Sequence, residues 1–134
     1  MRSPTSEDKL IPHLDVNGDT GNFVYAVAQM PPGKHYMCAG SFLGFGEYIH
    51  LFGKVTGASV SYKKITFGEM VAEAAEEPTG IEVGYMYEYA EEPGYDGGMQ
   101  LLTVEDLRKA GIDCPMTSLE EWIAKQDWSD VLNK

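Results

Sequence analysis

His13 and Asp15 stand two residues apart in the run LIPHLDV. In an extended segment that spacing projects both side chains to one face. An imidazole beside a carboxylate makes an acid–base pair, and a polar surface edge is the plainer alternative. His35 and Tyr36 alternate along KHYMCAG, so one of the two is expected to face a cavity or an interface. Tyr85 and Tyr89 are four residues apart, with Tyr87 on another side and Tyr95 soon after. A phenol joins an apolar ring to a polar handle, which suits a pocket for an aromatic ligand and equally describes a residue at the rim of a core. Asp96 follows Tyr95 in YAEEPGYDGG. There Gly97 and Gly98 let the backbone reverse and so fix where the pair points.

Other chemistries are excluded by spacing. The run from Asp15 to Asp19 begins like a calcium loop, but the loop's sixth and twelfth places hold Thr20 and Ala26. AGSFLGFG joins an extended run to a helix, as a dinucleotide turn would. Its glycines are wrongly spaced, and Phe42 and Phe45 stand where a pyrophosphate must pass. GKVTG lies at a helix end, where the dipole repels phosphate. None of the three histidines has a partner at metal-ligand spacing, and Cys38 and Cys114 read as reduced, buried hydrophobes. No cofactor and no metal is expected.

The elements that must position these residues come from caps and periodicity. Residues 1–10 read as a flexible polar tail and 11–134 as one domain, within the size of a single core. A helix is expected from a cap at Asp19 or Thr20 to Pro31–Gly33, then a short buried strand over KHYMCAG. A second helix runs from Ser41 to Gly57, with Phe42, Phe45, Ile49 and Phe52 on one face and Tyr48 beside it. ASVSYKKI alternates as a strand. Thr66–Glu69, Thr79–Glu82 and Ser118–Glu121 have the wording of capping boxes; the first opens a helix to about Glu77, and another helix begins at Thr103. The class is α/β or α+β, helix-rich, with a few short strands. The chain carries 21 acidic and 10 basic residues, a net charge of −11. That field disfavours nucleic acid and anionic membrane surfaces. No secretory signal is visible, so a cytoplasmic location is expected.

Four phrases carry a family resemblance: DTGNFVYAVAQMPPGKHYMCAG, EYIHLFGKVTG, AEEPGYDGG and CPMTSLEEWIAKQDWSDVL. With them, residues 11–132 resemble the C-terminal part of the NmrA-like family, atypical relatives of the short-chain dehydrogenases common in fungi. The resemblance implies a substrate-side subdomain without the Rossmann portion that carries the family's NAD(P) fingerprint. An apolar face uncovered in that way is expected to close in a homodimer, through FLGFGEYIHLF and GYMYEYA. The leading functional expectation is a cofactor-independent isomerase, cyclase or dehydratase acting on a hydrophobic or aromatic secondary metabolite. Asp96, His13, Asp15 and His35 are its candidate acids and bases. Tyr95, Tyr85, Tyr89, Tyr48 and Phe45 are its candidate substrate contacts. The alternative is a non-catalytic ligand-binding or regulatory module that pairs with another protein.

Overall fold

No strand in the computed structural model, which describes residues 1–132, exceeds three residues. Helices therefore carry the architecture: among the described residues there are seven, in an α/β arrangement with two separate strand pairs. Strand β1 (Arg2–Ser3) pairs in parallel with β4 (Lys63–Lys64). Strand β2 (Ile11–His13) runs antiparallel to β3 (Ser41–Leu43), with Ile11 opposite Leu43 and His13 opposite Ser41. Among the described residues no helix is long and apolar enough to cross a membrane.

Helix α1 (Val16–Val27) is capped by Asp15, which accepts from the Gly18 N–H at 3.0 Å. The expected cap at Asp19 or Thr20 gives way because Asp19 is wanted elsewhere. It is buried inside α1, where its carboxylate accepts from the Thr117 N–H at 2.7 Å and the Thr117 hydroxyl at 3.0 Å. Helix α2 (Phe45–Thr56) ends at Gly57 with the left-handed φ of +75° expected of that stop. It starts four residues later than its periodicity predicts. Ser41–Leu43 are drawn into pairing with β2, which leaves Phe42 exposed instead of on the helix's apolar face.

The expected strand over KHYMCAG is reduced to a single parallel bridge between Tyr36 and Leu102. ASVSYKKI supplies only β4, because β1 offers two residues to pair with. Helix α3 (Phe67–Glu73) has its capping box at Thr66 and Glu69, but it stops before Glu77. Helix α4 (Glu77–Tyr89) begins there with Pro78 in its first turn, where a missing N–H costs nothing. Thr79 is thereby inside the helix and caps nothing. The two helices pack closely enough that a side chain at Gly84 would meet the Phe67 ring at 2.7 Å. Helix α5 (Val104–Lys109) is boxed by Thr103 and Asp106, and α6 (Leu119–Lys125) by Ser118 and Glu121. The short α7 (Ser129–Leu132) follows.

Two buried clusters form the core. Phe23 and Ala26 of α1 pack on Val104 and Leu107 of α5 and on Cys114. Phe52 of α2 packs on Leu119 and Ile123 of α6, with Trp128 edge-on to Phe52 at 4.9 Å.

Residues 1–10 are not a loose tail. Ser3 and Thr5 are fully buried, and the Tyr62 hydroxyl donates to the Ser3 and Thr5 carbonyls. Thr5 in turn donates to the Tyr87 carbonyl of α4 at 2.9 Å. Beyond it, Glu91 accepts from the Ser6 N–H at 2.6 Å and from the Ser6 hydroxyl, while Lys64 sits 3.1 Å from the same carboxylate. The polar wording that reads as a tail instead supplies side chains that bind backbone. Of the single domain expected over 11–134, the final two positions lie outside the described residues.

The bonds from Ser6, with Lys64 beside them, hold the Glu91 carboxyl down to about 2, from an ordinary 4.5. The unfolded chain takes up that proton near 4.5, so the clamp's contribution is complete above this value and is lost as pH falls towards 2. The capping carboxylates Glu69, Asp106 and Glu121 shift in the same direction. Urea titrations of wild type and Glu91→Gln across pH 2 to 6 should therefore both lose stability in acid. The gap between the two curves should close as pH falls through that window. At neutral pH, Asp19→Ala should lower unfolding stability by roughly 2–3 kcal/mol, since it strands two Thr117 donors in the interior.

Candidate functional site

A cleft of about 630 Å³ lies between the N-terminal segment and the chain that leaves α4. That volume is within the range of small-molecule sites. After Tyr89 the chain makes a wide, distorted turn over Ala90–Gly94, in which Glu92 is extended at φ −152° and ψ 122°. Gly97 follows at φ +66°, with the Tyr89 hydroxyl pressed so close that an added Cβ would meet it at 2.6 Å. An L side chain there meets a rare backbone conformation, so the reversal after Asp96 favours glycine. Asp96 accepts from the Gly98 N–H at 3.0 Å, and Tyr95 and Asp96 thereby both come to line the cleft.

Leu10, Pro12, Met37 and Phe42 supply the apolar part of the lining, and Lys9 brings a cation into the same cleft as Asp96. A Cβ placed on Gly94 would meet Asp96 Oδ1 at 3.4 Å and Lys9 Nζ at 3.8 Å, which puts the two charged groups around one small space. Glu91 also reaches the cleft, but its oxygens are taken by Ser6 and Lys64 and it stays ionised to about 2. Asp8 and Asp96 are the lining carboxylates with acceptor capacity to spare, and Asp96 is the one that follows a lining phenol, Tyr95, and shares the space at Gly94 with the Lys9 ammonium. Proton removal from carbon, with a donor for the oxygen that becomes negative, is the chemistry this set can perform.

The other candidates are divided between places. His13, Asp15 and Tyr48 line a separate pocket of about 230 Å³, not the cleft that holds Asp96. The division follows β2 and its flanks: Leu10 and Pro12 line the cleft, and His13 lines the pocket. His13 stacks on Tyr48 with ring centres 5.6 Å apart, and its Nε2 is 3.4 Å from the Leu43 carbonyl. A carbonyl only accepts, so that nitrogen carries the proton and Nδ1 is left as an acceptor. Burial pulls the His13 pKa below its ordinary value and raises that of the Tyr48 phenol.

Three expected contacts fall outside both cavities. Phe45 is buried between Tyr62, stacked at 5.9 Å, and Tyr87, edge-on at 5.7 Å, so it is core and not a ligand contact. Tyr85 lies against Phe67 on the exposed side of α4. Tyr89 supports the Gly97 turn from outside the cleft. His35 is exposed and lines neither cavity; its neighbour Tyr36 takes the inward position against Phe23. Sequence reasoning missed Lys9 and Leu10, because residues 1–10 read as a tail. It missed Phe42 because the helical period absorbed it.

The α2 N-terminus, which a phosphate would need, is met by the chain itself: the Gly46 N–H donates to the Glu7 carbonyl at 2.9 Å. Among the described residues no three His, Cys, Asp or Glu side chains gather as a metal site. Burial raises the Cys38 and Cys114 thiols, which keeps them protonated.

No protein-family model and no curated protein matches the chain. Solved structures share its fold. The triphenylmethane reductase of Citrobacter sp., described for bioremediation of triphenylmethane dyes, superposes at a TM-score of 0.63 with 16% identity over 100% of this chain and 44% of its own. A double mutant of NmrA superposes at 0.64 with 17% identity over 98% of this chain and 42% of its own. The chain thus spans less than half the length of either. The likeness establishes an NmrA-like fold, helix-rich with a few short strands, as the resemblance of the sequence implies.

Proposed function

We propose that the chain is the substrate-side part of an NmrA-like fold, and that its large cleft binds a small aromatic molecule on which Asp96 and Tyr95 move a proton. The observation that carries this reading is the convergence of Asp96, Tyr95 and Lys9 on one cleft that also offers an apolar patch of Leu10, Pro12, Met37 and Phe42, with Ser6, Asp8 and Glu91 among the rest of the lining. A bound aryl ketone would rest on Met37, Phe42, Leu10 and Pro12. Asp96 takes a proton from the carbon beside the carbonyl, and the electron pair moves onto the carbonyl oxygen. Tyr95 or Lys9 donates to that oxygen as its charge develops. Return of the proton to a different carbon gives isomerisation. Loss of a β-hydroxyl gives dehydration, and attack on a second carbonyl gives cyclisation. The aromatic character of the ligand is supported by the dyes named for the Citrobacter reductase as well as by the lining.

The test needs no knowledge of the natural substrate. Exchange of solvent deuterium into a panel of aryl alkyl ketones, followed by proton NMR, should run faster with the protein than in buffer. Asp96→Asn should slow the protein-dependent rate by at least about hundredfold, and Tyr95→Phe should slow it less. A wild-type rate equal to buffer, or an Asp96→Asn variant at full rate, would sink the proposal.

A second reading has its own observation. Tyr85, Met86 and Tyr89 on α4 are each more than half exposed, as are Tyr95 and Met99 beyond it. An apolar row of that kind fits a protein contact, such as a second copy of this chain. Within FLGFGEYIHLF, Phe45 and Phe52 are turned inward and Phe42 is exposed. If the row is a dimer interface, sedimentation at micromolar concentration should give a dimer that Tyr85→Glu with Tyr89→Glu converts to monomer. A wild-type monomer throughout would remove this reading.

A further inference from the structure

The smaller pocket is built differently from the cleft. One wall is the continuous aromatic surface of His13 and Tyr48, whose rings lie within 14° of parallel. Facing residues come from α6 and the segment before it. Trp122 is held edge-on to Trp128 at 5.8 Å, and the Trp128 indole N–H is itself anchored on the Ile123 carbonyl at 2.9 Å. Leu119 is buried, and its N–H donates to the Ser41 hydroxyl at 3.1 Å. Thr117 is fixed by the buried Asp19, which uses its backbone N–H and its hydroxyl together. The walls are thus tied to α1, β3 and the second core cluster before any ligand arrives, so binding would cost little ordering.

The charged side chains point one way. Asp15 contributes a carboxylate that spends one bond on the Gly18 N–H and has further acceptor capacity. The Tyr48 hydroxyl and the Trp122 indole N–H take no hydrogen-bond partner among the described residues. No Lys or Arg lines the pocket, and the net charge of −11 favours cations near it. Aromatic faces beside a carboxylate attract an organic cation through the ring quadrupole and through charge-assisted hydrogen bonding. A volume of about 230 Å³ is below the roughly 300 Å³ at which drug-sized sites begin, which leaves room for one ring and a short arm.

We propose that this pocket binds a small primary ammonium ion carrying one aromatic ring, with the ammonium on Asp15 and the ring against Tyr48 and Trp122. The site is separate from the Asp96 cleft and does not depend on what that cleft does. Burial pulls the His13 pKa down, which disfavours a second cation against the ligand.

Isothermal titration of the whole chain with benzylammonium, benzyl alcohol and benzoate tests this. Benzylammonium should bind saturably at low millimolar concentration or better, and its neutral and anionic analogues at least about tenfold more weakly. Asp15→Asn removes the charge while keeping a good helix cap, so the fold survives and benzylammonium affinity should fall about tenfold or more. Trp122→Leu should weaken binding about fivefold. Glu77→Gln, an exposed charge on α4, should leave it unchanged. Equal affinity for benzyl alcohol, an Asp15→Asn variant that binds as wild type, or equal losses from Asp15→Asn and Glu77→Gln would each overturn the proposal. So would the absence of saturable binding.

Discussion

Glu91 grips Ser6 across 85 positions of sequence, and the cleft exists because of that grip. A fold whose strands are two or three residues long has little ladder to set the distance between segments. Here the work falls to carboxylates that bind backbone and hydroxyl donors far away in the chain. Glu91 holds the N-terminal segment against the exit of α4, and Lys64 beside it ties in β4. The buried Asp19 does the same for α1 and the segment before α6, across 98 positions. Each anion takes a backbone N–H and a hydroxyl from one residue, a pairing stronger than a neutral hydrogen bond and specific in direction. Removing either carboxylate would leave the fold's helices intact in themselves and poorly placed relative to one another.

The two cavities are consequences of those two clamps. The Glu91 clamp lays Asp8 to Pro12 along one side of the cleft, and the Gly94–Gly98 reversal sets Tyr95 and Asp96 on another. The Asp19 clamp holds Thr117, which with Ser118 and Leu119 closes the smaller pocket over His13 and Tyr48. Residues near β2 serve both, with Pro12 on the cleft and His13 on the pocket. One short strand therefore separates two chemistries: a carboxylate with a phenol and an ammonium on one hand, and an aromatic wall with a lone carboxylate on the other.

What the sequence makes legible is local. The boxes at Thr66 and Ser118, the Gly57 stop and the reversal at Gly97 and Gly98 are each settled by residues within four positions, and all stand in the structure. The joint appearance of His13 and Asp15 at one pocket and of Tyr95 and Asp96 at one cleft was readable for the same reason. What was not legible is set at long range. Asp19 looks like a cap until Thr117 is known to lie over it. Phe42 fits a helical stripe until β2 is known to claim Ser41–Leu43. Ser3, Thr5 and Ser6 look like tail because their partners, Tyr62, Tyr87 and Glu91, are 57 or more positions away. Tyrosine periodicity on α4 marks a face correctly, but only packing shows that Tyr85 points outward and Tyr87 towards Phe45.

The cleft bounded by the Glu91 clamp is the proposed seat of an aromatic ligand. Backbone amide NMR shifts during titration with an aryl alkyl ketone test it most directly. Shifts gathered at Ser6 to Leu10, Met37, Phe42 and Glu91 to Asp96, and saturating together, are the expected result. Shifts confined to the exposed face of α4, or spread over the acidic surface without saturation, would contradict it.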